Sequence, residues 1–480
     1  MNGLYRVICG ILLAGALLGC TIGVVLGDAT TDGRPVVFKN RDITGWDLEF
    51  KVIIPSSGYA YAVNSYVGSS TAWMGVNEVG FGIVQSAAYN VSGWGSGLSN
   101  GSMMNYALQR CDSVGDFQRI IDSTDATGRS TKACYGVCDA YGGGAIFECS
   151  VDEHARYEPD SLGIVVRANF AYIGGSGRVG ENRMERAYQL MADAAVGDSL
   201  NTEFVIKHVV TDLLYPGQDP YPLPWTGSFS GMPVGWVDTG PFTEVQTVCN
   251  ANTHASGVVM GVGEGGNPAD ALIWGFLGVP VVAMPVPVFP AALDEPDSVA
   301  GSGNPMCELG EARTDSAFHD GSNPPWLDTG FLLNSAGEGA LTYIIPAIEW
   351  AIDTVCTQLA HWDSAPPSPA DRAEFQDTVT NRLLNFYRSG EIVNVVENRT
   401  PENTGISIYP NPFNSSLRIE LSEPGGSVEI YDIRGRMVDR IGITGDRDYI
   451  DWQPKSDLPG GIYLISLGTR KPNTRAIYLK

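Results

Sequence analysis

One cysteine stands where a hydrophobic leader meets the first predicted strand, in the stretch ALLGCTIGVVLG. If the leader is removed immediately before Cys20, this residue carries both a thiol and a free α-amine. An α-amine has a pKa of about 7.7 to 8 and can serve as the general base for the thiol of its own residue. This arrangement predicts covalent catalysis, in which the Cys20 thiolate attacks an amide or thioester carbonyl and forms an acyl-enzyme.

The leader has the pattern of an export signal. Tyr5 and Arg6 precede the apolar run VICGILLAGALLG, which ends at Gly19. Such a run is typical of a signal peptide and is too short to span a bilayer, which takes about 20 apolar residues in a helix. The sequence therefore predicts a signal peptide over residues 1–19 and an exported mature protein.

The elements after the leader predict an α+β body. Apolar runs separated by Gly, Asp and Ser predict strands, and apolar residues at helical spacing over residues 103–123 predict a helix-turn-helix. YGVCDAYGGGAIFECS predicts a hairpin. NRMERAYQLMADAA and TEFVIKHVVTDLLY predict amphipathic helices, and ASGVVMGV and ALIWGFLGVPVVAMPVPVF predict further strands. This order suits stacked layers, with a catalytic domain over residues 20–340 and a helical extension over residues 341–398.

Four segments carry a resemblance to a known family. They are CTIGVVLGDATTDGRPVVFKNRD, WMGVNEVGFGIVQSAAYN, YGVCDAYGGGAIFECS and VRANFAY, in that order. Together they resemble the N-terminal nucleophile (Ntn) hydrolases of the penicillin acylase and choloylglycine hydrolase group. Within that group they are most similar to the acyl-coenzyme A:6-aminopenicillanate acyltransferase and carcinine hydrolase branch. The resemblance covers Cys20 to about residue 290 and implies a four-layer αββα sandwich.

The resemblance also implies roles for individual residues. Cys20 matches the nucleophile of the family, and Asp42 matches the acidic residue that holds the cysteine α-amine. A nearby cation supports the thiolate electrostatically. Lys39 stands where relatives commonly carry arginine or glutamine, and Arg41 is the alternative, so the cation that faces the site stays open between them.

The same resemblance implies an oxyanion site. Asn169, in VRANFAY, matches the asparagine whose amide donates to the developing oxyanion. The second donor is a backbone N–H in the strand segment 85–87, with Ser86 and Ala87 as the candidates.

The sequence departs from the family in one respect. Several relatives place an arginine on a later strand, whereas VCNANTHASGVVMGV contains none. Asn250 or Asn252 is a polar substitute, and His254 could lie nearby.

The C-terminal region reads as a separate domain. NRTPENTG predicts a linker, placed at residues 399–404, and short strands with turns every 8 to 12 residues predict a β-sandwich over residues 405–480. YPNPFN, VEIYDIRGRMV, Trp452 and LPGGIYLISL resemble the C-terminal sorting domain of the type IX secretion system. The resemblance implies a secreted or cell-surface protein that meets this machinery as a partner.

A competing interpretation of Cys20 is lipidation, because LLGC resembles a lipobox. The two chemistries exclude each other, since a sulfur in thioether linkage cannot attack and an acylated amine cannot accept a proton. A lipid anchor is also hard to reconcile with the C-terminal sorting signal. The catalytic interpretation is therefore favoured.

Composition and the remaining motifs exclude other functions. The chain has 54 acidic and 30 basic side chains and a formal charge of −24, which disfavours nucleic acid as a partner. GGSGRVG lacks the phosphate-loop spacing, and DEHARYEPD is expected to be a solvated loop without a zinc ligand set. No metal and no cofactor are expected. Most cysteines are expected to be buried and unpaired, with at most one or two disulfides.

These patterns predict a hydrolase or acyltransferase that acts on linear amides of small molecules through a Cys20 acyl-enzyme. N-acyl amino acids, penicillin-like compounds and β-alanyl amides are the substrate classes that the resemblance suggests. The alternatives are a cysteine dipeptidase of the related Ntn peptidase family and an inactive surface-binding protein on the same scaffold. The sequence leaves homo-oligomer formation open.

Overall fold

The computed structural model describes residues 19–43, 47–214, 239–241, 247–319, 326–333 and 338–389. In the C-terminal region it describes residues 406–409, 415–421, 427–432, 436–442, 449–455, 458, 461–467 and 474–478. The chain forms two compact units, Met1–Val393 and Asn394–Lys480. The predicted leader before Gly19 and the predicted linker over residues 399–404 lie outside the described residues.

The strands of the first unit, numbered in chain order, are β1 (Cys20–Val25), β2 (Val36–Asp42), β3 (Leu48–Ile53), β4 (Tyr61–Tyr66), β5 (Met74–Asn77), β6 (Gly82–Ala87), β7 (Ala133–Cys138), β8 (Gly144–Cys149), β9 (His154–Tyr157), β10 (Ile164–Arg167), β11 (Thr239–Pro241), β12 (Thr253–Met260), β13 (Leu272–Leu277), β14 (Val286–Val288), β15 (Phe318–His319) and β16 (Trp326–Asp328). Its helices are α1 (Asn100–Leu108), α2 (Val114–Thr127), α3 (Glu181–Val196), α4 (Thr202–Phe204), α5 (Pro305–Ala317), α6 (Thr329–Leu332), α7 (Leu341–Trp362) and α8 (Pro369–Ser389).

Two antiparallel sheets form the centre of this unit. One has seven strands in the order β3-β4-β5-β6-β7-β8-β9, and the other has six in the order β10-β1-β2-β12-β13-β14. The sheets pack face to face and approach closely where one of them carries glycine. A Cβ added at Gly257 of β12 would lie 2.4 Å from the Met74 sulfur of β5, a distance that no real contact allows. The apolar faces of both sheets therefore share one core.

Helices cover the outer face of each sheet. On the seven-stranded sheet, α1 and α2 begin at the capping residues Ser99 and Ser113. Phe117 of α2 places its ring edge-on against Tyr135 and Phe147 of the sheet, at centroid distances of 5.6 and 5.1 Å. On the other side, α3 packs on β1 and β10, and α8 packs on β14. The predicted αββα layering is confirmed, as are the helix-turn-helix and the hairpin of β7 and β8.

One expectation about local structure holds only in part, and another is wrong. TEFVIKHVVTDLLY was expected to be one amphipathic helix, but α4 passes into a π-helical turn, Val205–Val209, and the helix ends there. The β-branched residues of this segment favour a helix only weakly. After the π-helical turn, the Asp212 carboxylate accepts two hydrogen bonds from Arg186. DEHARYEPD was expected to be a loop, but residues 154–157 form β9 at the sheet edge, paired with β8.

The second unit is a β-sandwich, as predicted. Its strands are β17 (Ile406–Tyr409), β18 (Leu417–Leu421), β19 (Ser427–Asp432), β20 (Met437–Gly442), β21 (Tyr449–Trp452), β22 (Gly461–Leu467) and β23 (Thr474–Tyr478). They form two antiparallel sheets, β17-β18-β21 and β20-β19-β22-β23. The core between them includes the buried rings of Trp452 and Tyr463, whose centroids lie 5.5 Å apart. In neither unit is any described helix both long enough and apolar enough to cross a membrane.

Candidate active site

Cys20 is the first residue of β1, a strand that pairs with β10 on one side and β2 on the other. Its side chain is partly buried, and the preceding Gly19 is buried in the uncleaved chain. The backbone N–H of Cys20 donates to Asn169 Oδ1 at 2.5 Å. The Gly19 carbonyl accepts from the Asp42 N–H at 3.0 Å. The junction between leader and mature chain is therefore built into the folded site.

Asn169 connects the two sheets at this junction. It follows β10, and its Oδ1 accepts from Arg183 Nη2 at 2.8 Å as well as from Cys20. Its Nδ2 donates to the Ala87 carbonyl at the end of β6, at 3.1 Å, and its own carbonyl accepts from the Tyr89 N–H at 3.0 Å. Since both ends of the amide are engaged, its orientation is fixed.

A buried cation that the sequence analysis did not identify lies beside Cys20. Arg183, on α3, is fully buried, and its Nη2 is 3.5 Å from the Cys20 carbonyl while its Nη1 is 3.8 Å from Asp42 Oδ2. This cation comes from a helix and not from a later strand. One signal in the sequence could have revealed it, because Arg183 and Arg186 fall at helical spacing on the otherwise apolar face of α3.

Arg183 leaves no room for a side chain at position 19. A Cβ added to Gly19 would lie 2.0 Å from Arg183 Nη1 and 2.4 Å from Cζ. The guanidinium is buried and bound to Asn169, so it cannot move aside without breaking that contact. A side chain at this position of the uncleaved chain would therefore displace the guanidinium from Asn169.

Asp42 lies at the end of β2 and is surrounded by donors. Its carboxylate accepts from Asn250 Nδ2 at 2.9 Å and from the Thr253 hydroxyl at 2.7 Å. Burial raises the pKa of Asp42, while Arg183 and the two hydrogen bonds oppose the rise. Among the described hydrogen bonds, none joins this carboxylate to the Cys20 nitrogen, which Asn169 holds instead. Of the polar substitutes predicted for the later strand, Asn250 is the one bound to Asp42.

Lys39 and Arg41 both face the same side of the sheet as Cys20. Cys20 pairs directly with Arg41, and Ile22 pairs with Lys39, so alternation along β2 places both cations on the Cys20 face. Lys39 Nζ donates to the Trp73 carbonyl at 3.1 Å. Arg41 lies 4.4 Å from the Trp73 ring centroid. Both candidate cations therefore lie on the Cys20 face of the sheet.

Burial changes the acidity of both cations. It lowers the pKa of Lys39 to about 8 and that of Arg41 to about 10, and the nearby Cys20 thiol opposes both changes. Two desolvated cations thus lie close to the Cys20 thiol.

The register of β6 distinguishes between the two backbone oxyanion candidates. Ala88 N–H donates to the Lys132 carbonyl at 3.1 Å, and Ser86 pairs with Cys134 two residues along. Because antiparallel pairs alternate, the Ser86 N–H points into the pairing with β7 and the Ala87 N–H points away from it. The neighbouring β5 pairs with β6 only up to Val84, so none of the described strands covers Ala87 on that side. The geometry favours Ala87.

A cavity of about 460 Å³ borders the site. Its wall includes Trp73 and the segment Ala87–Tyr89. The Trp73 carbonyl accepts from Lys39, and the Ala87 carbonyl accepts from Asn169. Burial raises the pKa of Tyr89 to about 12, and the charges of Cys20 and Asp42 add to the rise. This volume suits a small-molecule ligand. Trp94, five residues after Tyr89, is fully exposed.

Other candidate residues lie apart from this geometry. His254 is buried, with its Nδ1 3.6 Å from Glu311, and Asn252 is tied to Asn250 through its backbone. Elsewhere, Asp122, Asp125 and His154 bring one ligand atom each within 4.8 Å of one another. Asp125 and His154 are hydrogen-bonded to each other, and Asp125 also pairs with Arg129. These atoms have protein partners, and the cluster lies on α2 and β9.

Comparison with known proteins identifies the C-terminal unit. Residues 407–477 match the family described as the secretion system C-terminal sorting domain. The chain is therefore exported through type IX secretion to the cell surface or the extracellular space, and its tail interacts with that machinery. No curated protein matches the chain.

Several solved structures resemble the chain weakly. A conjugated bile acid hydrolase variant from Clostridium perfringens is 10% identical, with 56% of this chain and 92% of that chain covered and a TM-score of 0.37. Penicillin V acylase from Agrobacterium tumefaciens is 14% identical, covering 56% and 86%, with a TM-score of 0.32. A Caenorhabditis elegans ortholog of N-acylethanolamine-hydrolyzing acid amidase is 13% identical, covering 50% and 92%, with a TM-score of 0.33. Likeness at this level carries no argument about activity, which rests on the site itself.

Proposed function

We propose that the chain is an amide hydrolase or acyltransferase that works through Cys20 once the peptide bond after Gly19 has been cut. One observation carries the proposal. The Cys20 nitrogen is held by Asn169 beside a buried Arg183–Asp42 pair, and the thiol of the same residue faces Lys39 and Arg41. A merely structural strand end has no need of four buried charged groups, because each costs free energy to desolvate.

The geometry suggests how the proton moves. After cleavage, Asn169 Oδ1 accepts one N–H of the Cys20 amine, which leaves the amine lone pair available to the thiol. The amine takes the Sγ proton as Sγ bonds to the substrate carbonyl carbon, and the carbonyl oxygen becomes an oxyanion. The Ala87 N–H is the proposed backbone donor to that oxyanion, with the Asn169 amide as the second.

Release of the acyl group completes the cycle. As the tetrahedral intermediate collapses, the carbon–nitrogen bond breaks and the protonated amine of Cys20 gives its proton to the departing amine. Water, or an acceptor amine in acyl transfer, then attacks the thioester carbon and gives up a proton to the same α-amine. The carbon–sulfur bond breaks, the acyl product leaves, and Sγ takes back the proton from the α-ammonium. Asn169 holds the amine, and Arg183 binds both Asn169 and the Cys20 carbonyl while Asp42 balances its charge. Lys39 and Arg41 stabilise the thiolate. We infer linear amides as the substrate class.

The proposed processing also defines the domains. Residues 1–19 are proposed as the signal peptide, residues 20–340 as the catalytic domain, residues 341–398 as its helical extension and residues 399–404 as the linker to the sorting domain. A free Cys20 amine is incompatible with lipidation. The contact from the Cys20 nitrogen to Asn169 inside a buried site supports the free form.

Thiol labelling tests the maturation step. We expect the exported protein to begin at Cys20 and iodoacetamide to label Cys20 faster than any other thiol. All described cysteines are unpaired; Cys20 is partly buried, Cys356 is exposed and the others are buried. Burial raises the pKa of the others, for example to about 12 for Cys138. Peptide mapping by mass spectrometry measures both the N-terminus and the labelling rates.

Cys356→Ser is the matched control, because it removes the exposed thiol and should leave the rate at Cys20 unchanged. A mature chain that begins elsewhere, or a Cys20 that carries a lipid, would contradict the proposal. Equal labelling rates at Cys20 and Cys356 would also count against an activated thiol.

The pH dependence of kcat/KM tests the role of Lys39. Because burial lowers the pKa of Lys39 to about 8, the ammonium is present below that pH and is lost as the pH rises through it. We expect kcat/KM to fall above pH 8 and the fall to move to higher pH in Lys39→Arg, since arginine stays protonated. Lys51→Arg is the control, since Lys51 pairs with Glu49. If kcat/KM falls at the same pH in wild type and in Lys39→Arg, Lys39 is not the group responsible for the fall.

A further inference from the structure

The cavity bordered by Trp73 and Ala87–Tyr89 contains one charged side chain. Among the residues of its wall, Lys132 is the only one that carries a formal charge, and the others are apolar, aromatic, hydroxyl or amide residues. The chain as a whole carries a formal charge of −24. In a protein with 54 acidic and 30 basic side chains, a lysine in a cavity wall without a neighbouring carboxylate is unexpected.

Lys132 is held firmly at this place. Its N–H donates to Asn100 Oδ1 at 3.0 Å, and its carbonyl accepts from the Ala88 N–H at 3.1 Å. Ala88 directly follows Ala87, the proposed oxyanion donor. The backbone of Lys132 is therefore fixed relative to the reacting carbonyl, and its side chain projects from that anchor with Nζ 5.9 Å from the Trp94 ring centroid.

Lys132 has no acidic partner in the described part of the chain. Lys51 is paired with Glu49 and Lys207 with Glu349, whereas none of the ion pairs among the described residues involves Lys132. No aspartate or glutamate belongs to the wall of the cavity. The Lys132 ammonium is thus available to a ligand, and the indole of Trp94 beside it offers an apolar surface.

We infer that this cavity binds an anionic part of the substrate, a carboxylate separated by a short chain from the scissile amide, and that Lys132 is the residue that binds it. The inference rests on the proposed function and narrows its substrates to anionic amides. The volume of about 460 Å³ accommodates such a ligand. A charge-assisted hydrogen bond in a partly buried site favours the anion over a neutral ligand of equal size by about tenfold.

Matched substrates test the inference. Glutaryl-p-nitroanilide and pentanoyl-p-nitroanilide differ by a carboxylate on the acyl side, and N-benzoylglycine and N-benzoylethylamine differ by one on the amine side. We expect kcat/KM to favour the anion by about tenfold in at least one pair, and Lys132→Met to remove that preference. Lys132→Arg, which keeps the charge, should retain most of it. The readout is the ratio within a pair, so a general loss of activity does not affect it.

A binding measurement separates this inference from the proposed function. In a mature Cys20→Ala protein, calorimetric titration should show glutaranilic acid binding about tenfold more tightly than pentananilide, and Lys132→Met should equalise the two. Failure to hydrolyse any substrate would overturn the proposed function, while this titration still tests the cavity. Equal binding of the two anilides, or a preference that survives Lys132→Met, would overturn the inference.

Discussion

Replacing Cys20 by alanine is expected to lower kcat/KM for amide hydrolysis by at least about a thousandfold, because removing a nucleophile also removes the function of the groups that activate it. The measurement uses the mature exported protein and a chromogenic anilide, in the presence and absence of thiol-blocking reagent. The α-amine, Asn169 and the cavity remain in this variant, so any residual rate reports binding and the oxyanion donors alone.

Two controls make the result specific. Cys356→Ala removes the exposed thiol and is expected to keep wild-type activity. Cys20→Ser keeps a hydroxyl beside the same amine and tests whether the chemistry depends on sulfur. If Cys20→Ala retained its amidase activity while the protein stayed folded, the proposed mechanism would be wrong.

Replacing Arg183 by methionine is expected to destabilise the first unit by about 3 to 5 kcal/mol, because it leaves the buried Asp42 without its cation. Activity should fall as well, by about a hundredfold, since misplacing a reacting group by about an ångström has an effect of that size. Denaturant unfolding measures the free energy, and the anilide assay measures kcat/KM. Arg178→Met is the matched control. Arg178 is exposed, lies just before α3 and pairs with Glu181, the first residue of that helix.

A second substitution separates stability from catalysis. In Asp42→Asn with Arg183→Met, the unpaired buried charge is gone, so much of the stability should return. Activity should stay low, because the Arg183 contacts to Asn169 and to the Cys20 carbonyl are still absent. Full recovery of both would mean that Arg183 and Asp42 serve the fold alone.

The sequence was most informative where the site is contiguous along the chain. Cys20, Lys39, Arg41 and Asp42 lie on two successive strands joined by a turn, and the antiparallel register brings them together. Strand alternation then determines which of them share a face. The hairpin of β7 and β8 and the helix-turn-helix were also predictable, because each depends on local spacing and turn residues.

The parts that could not be predicted depend on contacts between distant elements. Arg183 reaches Cys20 from α3, and the position of that helix over β1 follows from packing that no local pattern encodes. The hydrogen bonds of Asn169 likewise depend on how β6 and β10 approach each other across the two sheets. Whether Lys132 has an acidic partner also depends on the folded chain, because the fold determines which carboxylates lie within reach of its ammonium group.

Gly19 occupies a tightly packed position of the site, yet on the proposed cleavage the mature enzyme does not contain it. In the uncleaved chain it fits against Arg183 only because it has no side chain. If the chain is cut after Gly19, a substitution at this position disturbs the packing of the precursor only. The mature protein is then chemically identical to wild type. A defect at this position would be inherited in the gene yet invisible in the purified enzyme, and it would appear only as a lower yield of mature molecules.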